Sequence, residues 1–175
     1  MMITPRPQLT LVLGGARSGK SRHAEGLVTA TASPWVYVAT AQALDAEMAE
    51  RIEQHRARRG AGWQAVEAPH DLAAAIDAAA AGALLVDCLT LWLTNRMLAE
   101  ADIEAETAGL EAALSRRKGP TVLVSNEVGS GIVPDNALAR RFADLQGRLN
   151  QRIAARADRV VLVVAGLPLI VKGQA

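Results

Sequence analysis

Short runs rich in valine and leucine recur along the chain, and none alternates cleanly between apolar and polar positions. This pattern is typical of strands whose two faces are both covered, as in a parallel sheet. The runs predict strands at Leu9–Gly14, Trp35–Ala39, Ala83–Asp87, Thr121–Ser125 and Arg159–Ala165. A last apolar run, Gly166–Lys172, contains a glycine and a proline. It indicates that the chain turns back as an antiparallel strand at the sheet edge.

The segments between these runs carry apolar residues at spacings of three and four, the period of an amphipathic helix. They predict helices at Ser21–Ala32, Asp45–Arg59, Asp71–Ala80, Glu104–Arg117 and Asn136–Arg156. Strands that alternate with helices indicate parallel βαβ units, and therefore an open α/β sheet with helices on both faces. Because no repeat, low-complexity tract or linker interrupts the pattern, residues 1–175 are predicted to form a single domain.

The composition excludes several classes of function. Nineteen basic side chains oppose eighteen acidic ones, for a net charge of +1, so there is no electrostatic reason to expect a nucleic-acid or membrane partner. Cys88 is the single cysteine, so no intramolecular disulfide can form. The longest apolar run, Val160–Val171, is too short to span a bilayer. Since the N-terminus also lacks the features of a secretory signal, we expect a soluble, cytoplasmic protein.

The strongest chemical signal lies between the first predicted strand and the first predicted helix. It reads Gly14-Gly15-Ala16-Arg17-Ser18-Gly19-Lys20-Ser21 and matches the phosphate-loop pattern G-x-x-x-x-G-K-[ST]. The glycines let backbone N–H groups surround a phosphate, and the helix adds the positive end of its dipole. Lys20 supplies a charge for the β- and γ-phosphates, and the hydroxyl of Ser21 can ligate Mg²⁺. The alternative is a glycine-rich turn without a ligand, and the strand-loop-helix context argues against it.

A phosphate loop needs a second contact to the metal, usually an acidic residue at the end of another strand. Asp87 ends the run ALLVD and is the best candidate, because only this predicted strand ends in an acid that is followed by a polar turn. The alternative is an aspartate that caps a neighbouring turn.

The chain has three histidines, and one of them lies in an unusual setting. His23 and His70 are most simply interpreted as surface or capping residues. His55 lies among the arginines of Arg51–Arg59, whose charge favours the neutral, nucleophilic imidazole and prepares a place for a polyphosphate. Such a histidine can attack the α-phosphorus of a nucleotide. A solvated basic helix face with an incidental histidine is a common alternative, and the residues alone leave both interpretations open.

Four separate stretches, in order, carry a family resemblance that extends from Leu11 to about Lys172. They are GGARSGKSRHAE (14–25), YVATAQALDAEMAERI..HR (37–56), LLVDCLTLWLTN (84–95) and SNEVGSGIVPDNALARRFADLQGRLNQRIA (125–154). Through them the chain resembles the bifunctional adenosylcobinamide kinase / adenosylcobinamide-phosphate guanylyltransferase family of cobalamin biosynthesis. The last stretch is unusual among P-loop proteins, which makes the resemblance specific.

The resemblance implies a fold and two reactions. The fold is that of RecA-like P-loop NTPases, with a mostly parallel sheet and one antiparallel strand, assembled as a homotrimer. In the first reaction, ATP or GTP phosphorylates the hydroxyl of the aminopropanol arm of adenosylcobinamide. In the second, GMP passes from GTP to that phosphate through a guanylylated histidine, giving adenosylcobinamide-GDP and pyrophosphate.

The resemblance also implies roles for individual residues. His55 becomes the guanylylated histidine, beside Lys20 as the second catalytic residue and Ser21 and Asp87 as the metal ligands already predicted from the phosphate-loop pattern. Glu67 would accept hydrogen bonds from the guanine or contact the ribose. The full set of implied nucleotide contacts is Gly14, Gly15, Ala16, Arg17, Ser18, Gly19, Lys20, Ser21, Ala39, Thr40, Ala41, Arg56, Ala57, Arg58, Arg59, Glu67 and Asp87.

A further polar group follows the strand predicted at Thr121–Ser125. Asn126, Glu127 and Gly129 lie there at the carboxyl edge, where open α/β sheets bind their ligands. Glu127 either lies near the acceptor hydroxyl or the metal, or is simply an acid of the turn. The residues do not distinguish these two roles.

Overall fold

The computed structural model of the protein describes residues 8–174 apart from 44 and 80, and the side chains of Arg51, His55 and Arg58 lie outside that description. The strands are β1 (Leu9–Gly14), β2 (Trp35–Ala39), β3 (Trp63–Glu67), β4 (Leu84–Asp87), β5 (Thr121–Asn126), β6 (Arg159–Val164) and β7 (Leu167–Lys172). The helices are α1 (Lys20–Thr29), α2 (Ala46–Arg58), α3 (Leu72–Ala78), α4 (Leu89–Leu98), α5 (Ile103–Arg116) and α6 (Ala137–Arg156). None of the helices in this part of the chain has the length and apolar character that a bilayer crossing requires.

One sheet organises the strands in the order β3-β2-β4-β5-β1-β6-β7. Neighbouring strands from β3 to β6 are parallel, and β7 pairs antiparallel with β6. The predicted α/β fold, a mostly parallel sheet with an antiparallel edge strand near the C-terminus, is therefore confirmed. In this order β1 and β4 both lie beside β5, which brings the ends of these three strands together.

Two apolar clusters cover the two faces of the sheet, as expected for strands that do not alternate. Odd-numbered β1 residues such as Leu11 pack with helices α3 to α6, where Trp92 and Ile153 are fully buried. Even-numbered residues such as Val12 pack with Ala24 and Val28 of α1. Each fully buried leucine or valine side chain contributes about 1.5–3 kcal/mol relative to an exposed one, so both helix layers hold the strand ends in place.

Strand β3 and helix α4 were not predicted from the sequence, and the reasons are physical. Most of β3 is exposed, because it is an edge strand with little packing on either face. It therefore lacks the apolar run that marks the inner strands. Helix α4 has the opposite character, since Leu89, Thr90, Trp92, Leu93 and Asn95 are all buried. A helix enclosed on most sides has no polar stripe and so gives no amphipathic pattern.

Two helices near the strand ends begin at side-chain caps. The carboxylate of Asp45 accepts a hydrogen bond from the Met48 N–H at 2.7 Å at the start of α2. The side chain of Asn136 caps α6 in the same way, through the Ala139 N–H at 2.7 Å. Caps of this kind contribute about 1 kcal/mol each and define where the helix starts.

Candidate active site

The phosphate loop has the geometry that its sequence predicts. Strand β1 ends at Gly14, α1 begins at Lys20, and Gly19 takes a left-handed conformation with φ of 93°. A Cβ atom at Gly14 would lie 2.8 Å from the carbonyl oxygen of Val163, so only glycine fits there. The ammonium of Lys20 donates a hydrogen bond to the carbonyl of Gly15 at 3.0 Å, which folds the lysine back over the loop. This arrangement is typical of a phosphate-binding turn.

A cavity of about 640 Å³ lies at the carboxyl ends of the central strands. This volume falls within the range of small-molecule sites. Most of the predicted nucleotide contacts border the cavity. They are Ala16, Arg17, Lys20, Ser21, Ala39, Ala41, Arg56, Arg59, Glu67 and Asp87. The structure thus brings the phosphate loop, the end of β2, helix α2 and the two strand-end acids around one space.

Six other predicted contacts do not border the cavity. Gly14, Gly15, Ser18 and Gly19 shape the phosphate loop, and Ala57 is exposed on α2. Thr40 is fully buried. Its hydroxyl donates to the Cys88 carbonyl at 2.7 Å and accepts from the Cys88 N–H at 2.8 Å. The side chain of Thr40 therefore joins the ends of β2 and β4, and its implied contact with the nucleotide stays a prediction.

Asp87 is held by a tyrosine that sequence reasoning missed. The hydroxyl of Tyr37 donates to Oδ2 of Asp87 at 3.2 Å, and the guanidinium carbon of Arg59 lies 3.6 Å from the centre of the tyrosine ring. Burial, and to a smaller extent the nearby charge of Asp87, raises the pKa of Tyr37 well above its usual value. The phenol consequently stays protonated and acts as a donor. Tyr37 connects the strand-end acid to α2 and orients its carboxylate.

The next residue, Cys88, also borders the cavity. Burial, followed by the charge of Asp87, raises the pKa of its thiol to about 11. The thiol therefore stays protonated near neutral pH and is not a nucleophile.

Arg56 and Glu67 form an ion pair across the cavity mouth. A guanidinium nitrogen of Arg56 lies 2.5 Å from Oε1 of Glu67, and a second one lies 2.9 Å from Oε1 of Glu53. The Arg56 side chain is 49% exposed and both glutamates are 69% exposed, and such surface pairs contribute at most about 1 kcal/mol to stability. The pair therefore matters as a connection between α2 and the end of β3 rather than as a source of stability.

Helix α2 presents one face to the cavity. Met48, Ile52 and Arg56, spaced by four residues, border it, and so does Arg59 directly after the helix. His55 lies in this helix, between Ile52 and Arg56. Its side chain and that of Arg58 fall outside the described residues, so their predicted roles stay predictions.

The other two histidines are outside the cavity lining, although neither is the simple surface or capping residue that was expected. His23 is half-buried on α1, and burial, followed by the charge of Arg159, lowers its pKa. A ring nitrogen of His70 lies 3.2 Å from the side-chain amide of Gln42, and the His70 carbonyl accepts from the Trp92 indole. Helix α3 begins instead after Asp71.

Glu127 and Asn126 have different positions at the end of β5. The carboxylate of Glu127 accepts a hydrogen bond from the Gly129 N–H at 2.6 Å and does not border the cavity, as expected for an acid of the turn. Asn126 does border the cavity. Sequence reasoning placed it at the right edge of the sheet but gave it no role. Gln42 and Thr90 also border the cavity and carried no sequence signal outside the resemblance.

A phosphate loop, a strand-end carboxylate and a cavity of this size together define a P-loop nucleotide-binding enzyme. The family model for cobinamide kinase / cobinamide phosphate guanyltransferase matches residues 10–171. The chain belongs to this family. Its members carry out the two activities that the sequence resemblance implied.

Curated relatives agree with this assignment. The chain is 50% identical over 168 residues to the bifunctional adenosylcobalamin biosynthesis protein CobP of Pseudomonas aeruginosa, with 94% of this chain and 97% of the relative covered. It is 45% and 44% identical over 181 residues to the CobU proteins of Salmonella typhimurium and Escherichia coli, both also called bifunctional adenosylcobalamin biosynthesis proteins. Each match covers 94% of this chain and 99% of the relative.

Proposed function

We propose that the chain is one catalytic domain in which a single cavity serves two reactions of adenosylcobalamin biosynthesis. The observation that carries the proposal is the lining of that cavity. The phosphate loop, with Lys20 and Ser21, borders the same space as the face of α2 next to His55. A triphosphate in the phosphate loop would therefore lie beside the helix that bears the candidate nucleophile.

The residues around the phosphate loop fit a Mg²⁺ ion. Ser21 and Asp87 both border the cavity and offer a hydroxyl and a carboxylate oxygen, the hard donors that Mg²⁺ prefers. No group of three or more His, Cys, Asp or Glu that could hold a metal occurs among the residues described. Mg²⁺ in kinase sites needs no such group, because it takes one or two protein ligands together with substrate phosphates and water. When bound, the ion would neutralise charge on the phosphates.

In the kinase reaction, the acceptor is the aminopropanol hydroxyl of adenosylcobinamide. Its oxygen forms a bond to the γ-phosphorus of ATP or GTP, the bond to the β–γ bridging oxygen breaks, and the hydroxyl proton is released. Lys20 and Arg17 would hold the phosphates in line and offset the negative charge. No side chain needs to form a covalent bond in this step.

In the guanylyltransferase reaction, a ring nitrogen of His55 forms a bond to the α-phosphorus of GTP, and pyrophosphate leaves. An oxygen of adenosylcobinamide phosphate then forms a bond to the same phosphorus, and the bond to histidine breaks. Arg56 and Arg59 border the cavity and would stabilise charge on the phosphates. Glu67, beside Arg56 at the cavity mouth, would accept hydrogen bonds from the guanine or contact the ribose.

The experiment that tests this assignment incubates the protein with GTP labelled at the α-phosphate and Mg²⁺. We expect an adduct that acid releases, as a phosphorus–nitrogen bond predicts, and that is absent from the His55→Asn variant. His23→Asn changes a histidine outside the cavity and should keep the label, which makes it the matched control. A folded His55→Asn protein that is labelled like the wild type contradicts the role of His55.

Two other classes of P-loop protein would give different results in the same experiment. An ordinary small-molecule kinase phosphorylates adenosylcobinamide but forms no adduct. A non-catalytic nucleotide switch binds GTP without turnover or corrinoid binding. The adduct, together with the phosphorylation of adenosylcobinamide, therefore separates all three.

The family resemblance also implies a homotrimer, and the sequence alone led us to expect a cytoplasmic protein; both statements stay proposals. An apolar strip at the sheet edge supports assembly, since Leu167, Leu169 and Val171 of β7 are 72%, 59% and 61% exposed. Exposed apolar edges of this kind commonly mark contacts between protein chains. Sedimentation equilibrium tests the proposal. We expect a mass of three chains for the wild type, and a single-chain mass contradicts the trimer.

A further inference from the structure

Asn126 is the last residue of β5. This strand lies between β1, which precedes the phosphate loop, and β4, which ends at Asp87. In the sheet, β5 pairs with both β1 and β4, and Asn126 is level with Gly14 in the pairing of β5 with β1. It borders the cavity together with Lys20 and Asp87. Asn126 thus lies between the group assigned to the phosphates and the group assigned to the metal.

The backbone of Asn126 is anchored on three sides. Its N–H donates to Oγ1 of Thr90 on α4 at 2.8 Å. Its carbonyl accepts from Nδ2 of Asn150 on α6 at 3.0 Å. The N–H of the following residue, Glu127, donates to the carbonyl of Gly14 at 3.1 Å. The position of Asn126 relative to the phosphate loop is therefore set by hydrogen bonds to two helices and to β1.

A buried polar network supports these anchors. Nε2 of Gln146 donates to Oγ of Ser125 at 2.9 Å and to Oδ1 of Asn150 at 3.0 Å. The Ser125 hydroxyl donates to the same Asn150 oxygen at 2.7 Å. Gln146 and Ser125 are fully buried. Polar groups that are buried and bonded in this way are costly to rearrange, so the network makes the end of β5 rigid.

The side-chain amide of Asn126 contrasts with this fully bonded backbone. Within residues 8–174, as far as they are described, the structure assigns it no hydrogen bond. An asparagine at the edge of a nucleotide-sized cavity offers a neutral N–H₂ donor, and phosphate oxygens accept such bonds. The rigid backbone would hold this donor in place without any reorganisation during reaction.

We propose that Asn126 is a further catalytic residue of the kinase reaction, donating a hydrogen bond from Nδ2 to an oxygen of the γ-phosphate. The proposal rests on the proposed function, because it assumes that the phosphate loop binds a triphosphate in this cavity. Ser125, Gln146 and Asn150 are then positioning residues, which act by holding Asn126.

Binding measurements test the contact without the corrinoid. Equilibrium dialysis with Mg²⁺ compares the affinities for β,γ-imido-ATP and for ADP in the wild type, Asn126→Ala and Asn126→Asp. We expect affinity for the triphosphate to fall roughly 10- to 100-fold in Asn126→Ala, as for a lost hydrogen bond to a charged group. Affinity for ADP, which lacks the γ-phosphate, should stay within about twofold. Asn126→Asp should bind the triphosphate still more weakly, because a carboxylate repels phosphate.

Asn136→Asp is the matched control. It makes the same chemical change at the cap of α6, outside the cavity lining, and aspartate caps helices as well as asparagine does. Both of its affinities should match those of the wild type. If Asn126→Ala does not fold, the isosteric Asn126→Asp carries the comparison.

Turnover provides the second readout. At saturating ATP, kcat for phosphorylation of adenosylcobinamide should fall roughly 10- to 100-fold in Asn126→Ala, with the KM for adenosylcobinamide unchanged.

Equal losses of triphosphate and diphosphate affinity, or no loss of either, overturn the proposal. A wild-type protein that binds nucleotide but does not phosphorylate adenosylcobinamide contradicts the proposed function instead, and the ratio of the two nucleotide affinities still decides the role of Asn126.

Discussion

Removal of the Tyr37 hydroxyl tests whether this residue orients the Asp87 carboxylate for the proposed binding of Mg²⁺. Tyr37→Phe deletes the donor that lies 3.2 Å from Oδ2 of Asp87 and keeps the ring on which Arg59 stacks. The tyrosine is only 4% exposed, so the phenylalanine fits the same space. Any effect should therefore arise from the lost hydrogen bond.

The geometry sets the size of the effect. Hydrogen bonds to charged groups contribute about 1.5–3 kcal/mol. A separation of 3.2 Å is long for a hydroxyl donor, and water in the cavity can replace it. We therefore expect the free energy of unfolding to fall by about 1 kcal/mol, which lowers Tm by about 2–4 °C in a chain of this size. The loss of an orienting partner next to a metal ligand typically weakens metal affinity by about tenfold, so half-saturation of the kinase should require about ten times more Mg²⁺.

Two assays measure these effects. Urea unfolding followed by circular dichroism gives the free energy of unfolding, and a Mg²⁺ titration of adenosylcobinamide phosphorylation gives the metal requirement. The same substitution in an Asp87→Ala background is the control. There the hydroxyl has lost its partner, and Tyr37→Phe should change stability by less than about 0.5 kcal/mol.

The outcomes distinguish orientation of the carboxylate from simple packing. An unchanged Mg²⁺ requirement in Tyr37→Phe would mean that Tyr37 does not orient Asp87, whatever happens to stability. A loss of stability that is equally large in the Asp87→Ala background assigns the effect to packing of the ring pocket instead.

Three further substitutions test other parts of the account. Thr40→Val removes both hydrogen bonds to the Cys88 backbone and should cost about 2–4 kcal/mol in urea unfolding, whereas Thr40→Ser keeps the hydroxyl and should cost far less. Glu67→Gln weakens an exposed ion pair and should change stability by less than about 1 kcal/mol. If Glu67 contacts the guanine, this variant should raise the KM for GTP and leave that for ATP unchanged. Hydrogen bonds from Arg152, then Arg156, lower the pKa of Glu111. Its folded pKa is thus below the unfolded value, so the stability that it contributes is present above about pH 4.3 and is lost as the pH falls through the folded pKa. Glu111→Gln should be less stable at neutral pH and lose less on acidification, as measured by urea unfolding across this range.

Much of the fold follows from local sequence signals. The inner strands β1 and β2 begin and end where the apolar runs predict, because a strand that is buried on both faces consists of consecutive apolar residues. Strand β3 and helix α4 show no comparable sequence pattern. Strand β3 is too exposed to need an apolar run, and helix α4 is too buried to have a polar stripe.

Some residues of the candidate site could also be predicted from local sequence, and others could not. The phosphate loop and Asp87 are recognisable because glycine, lysine and a strand-end acid are required at fixed positions along the chain. Tyr37 and Asn126 are held in place by hydrogen bonds to residues that are distant in sequence, and no local pattern encodes these contacts. Tyr37 lies fifty residues before its partner Asp87. His55 is a different case, since its local pattern left two interpretations open and the family resemblance decided between them.

The proposed guanylylation requires the phosphate loop and helix α2 to act on the same bound GTP. Mass spectrometry of the protein after incubation with GTP and Mg²⁺ tests this most directly, by locating the guanylyl group in the wild type and in Lys20→Ala. We expect the adduct on His55 in the wild type, and its strong reduction in Lys20→Ala, because Lys20, when bound to the phosphates, would present the α-phosphorus to the histidine. An adduct on a different residue, or an undiminished adduct on His55 in Lys20→Ala, would contradict the shared cavity.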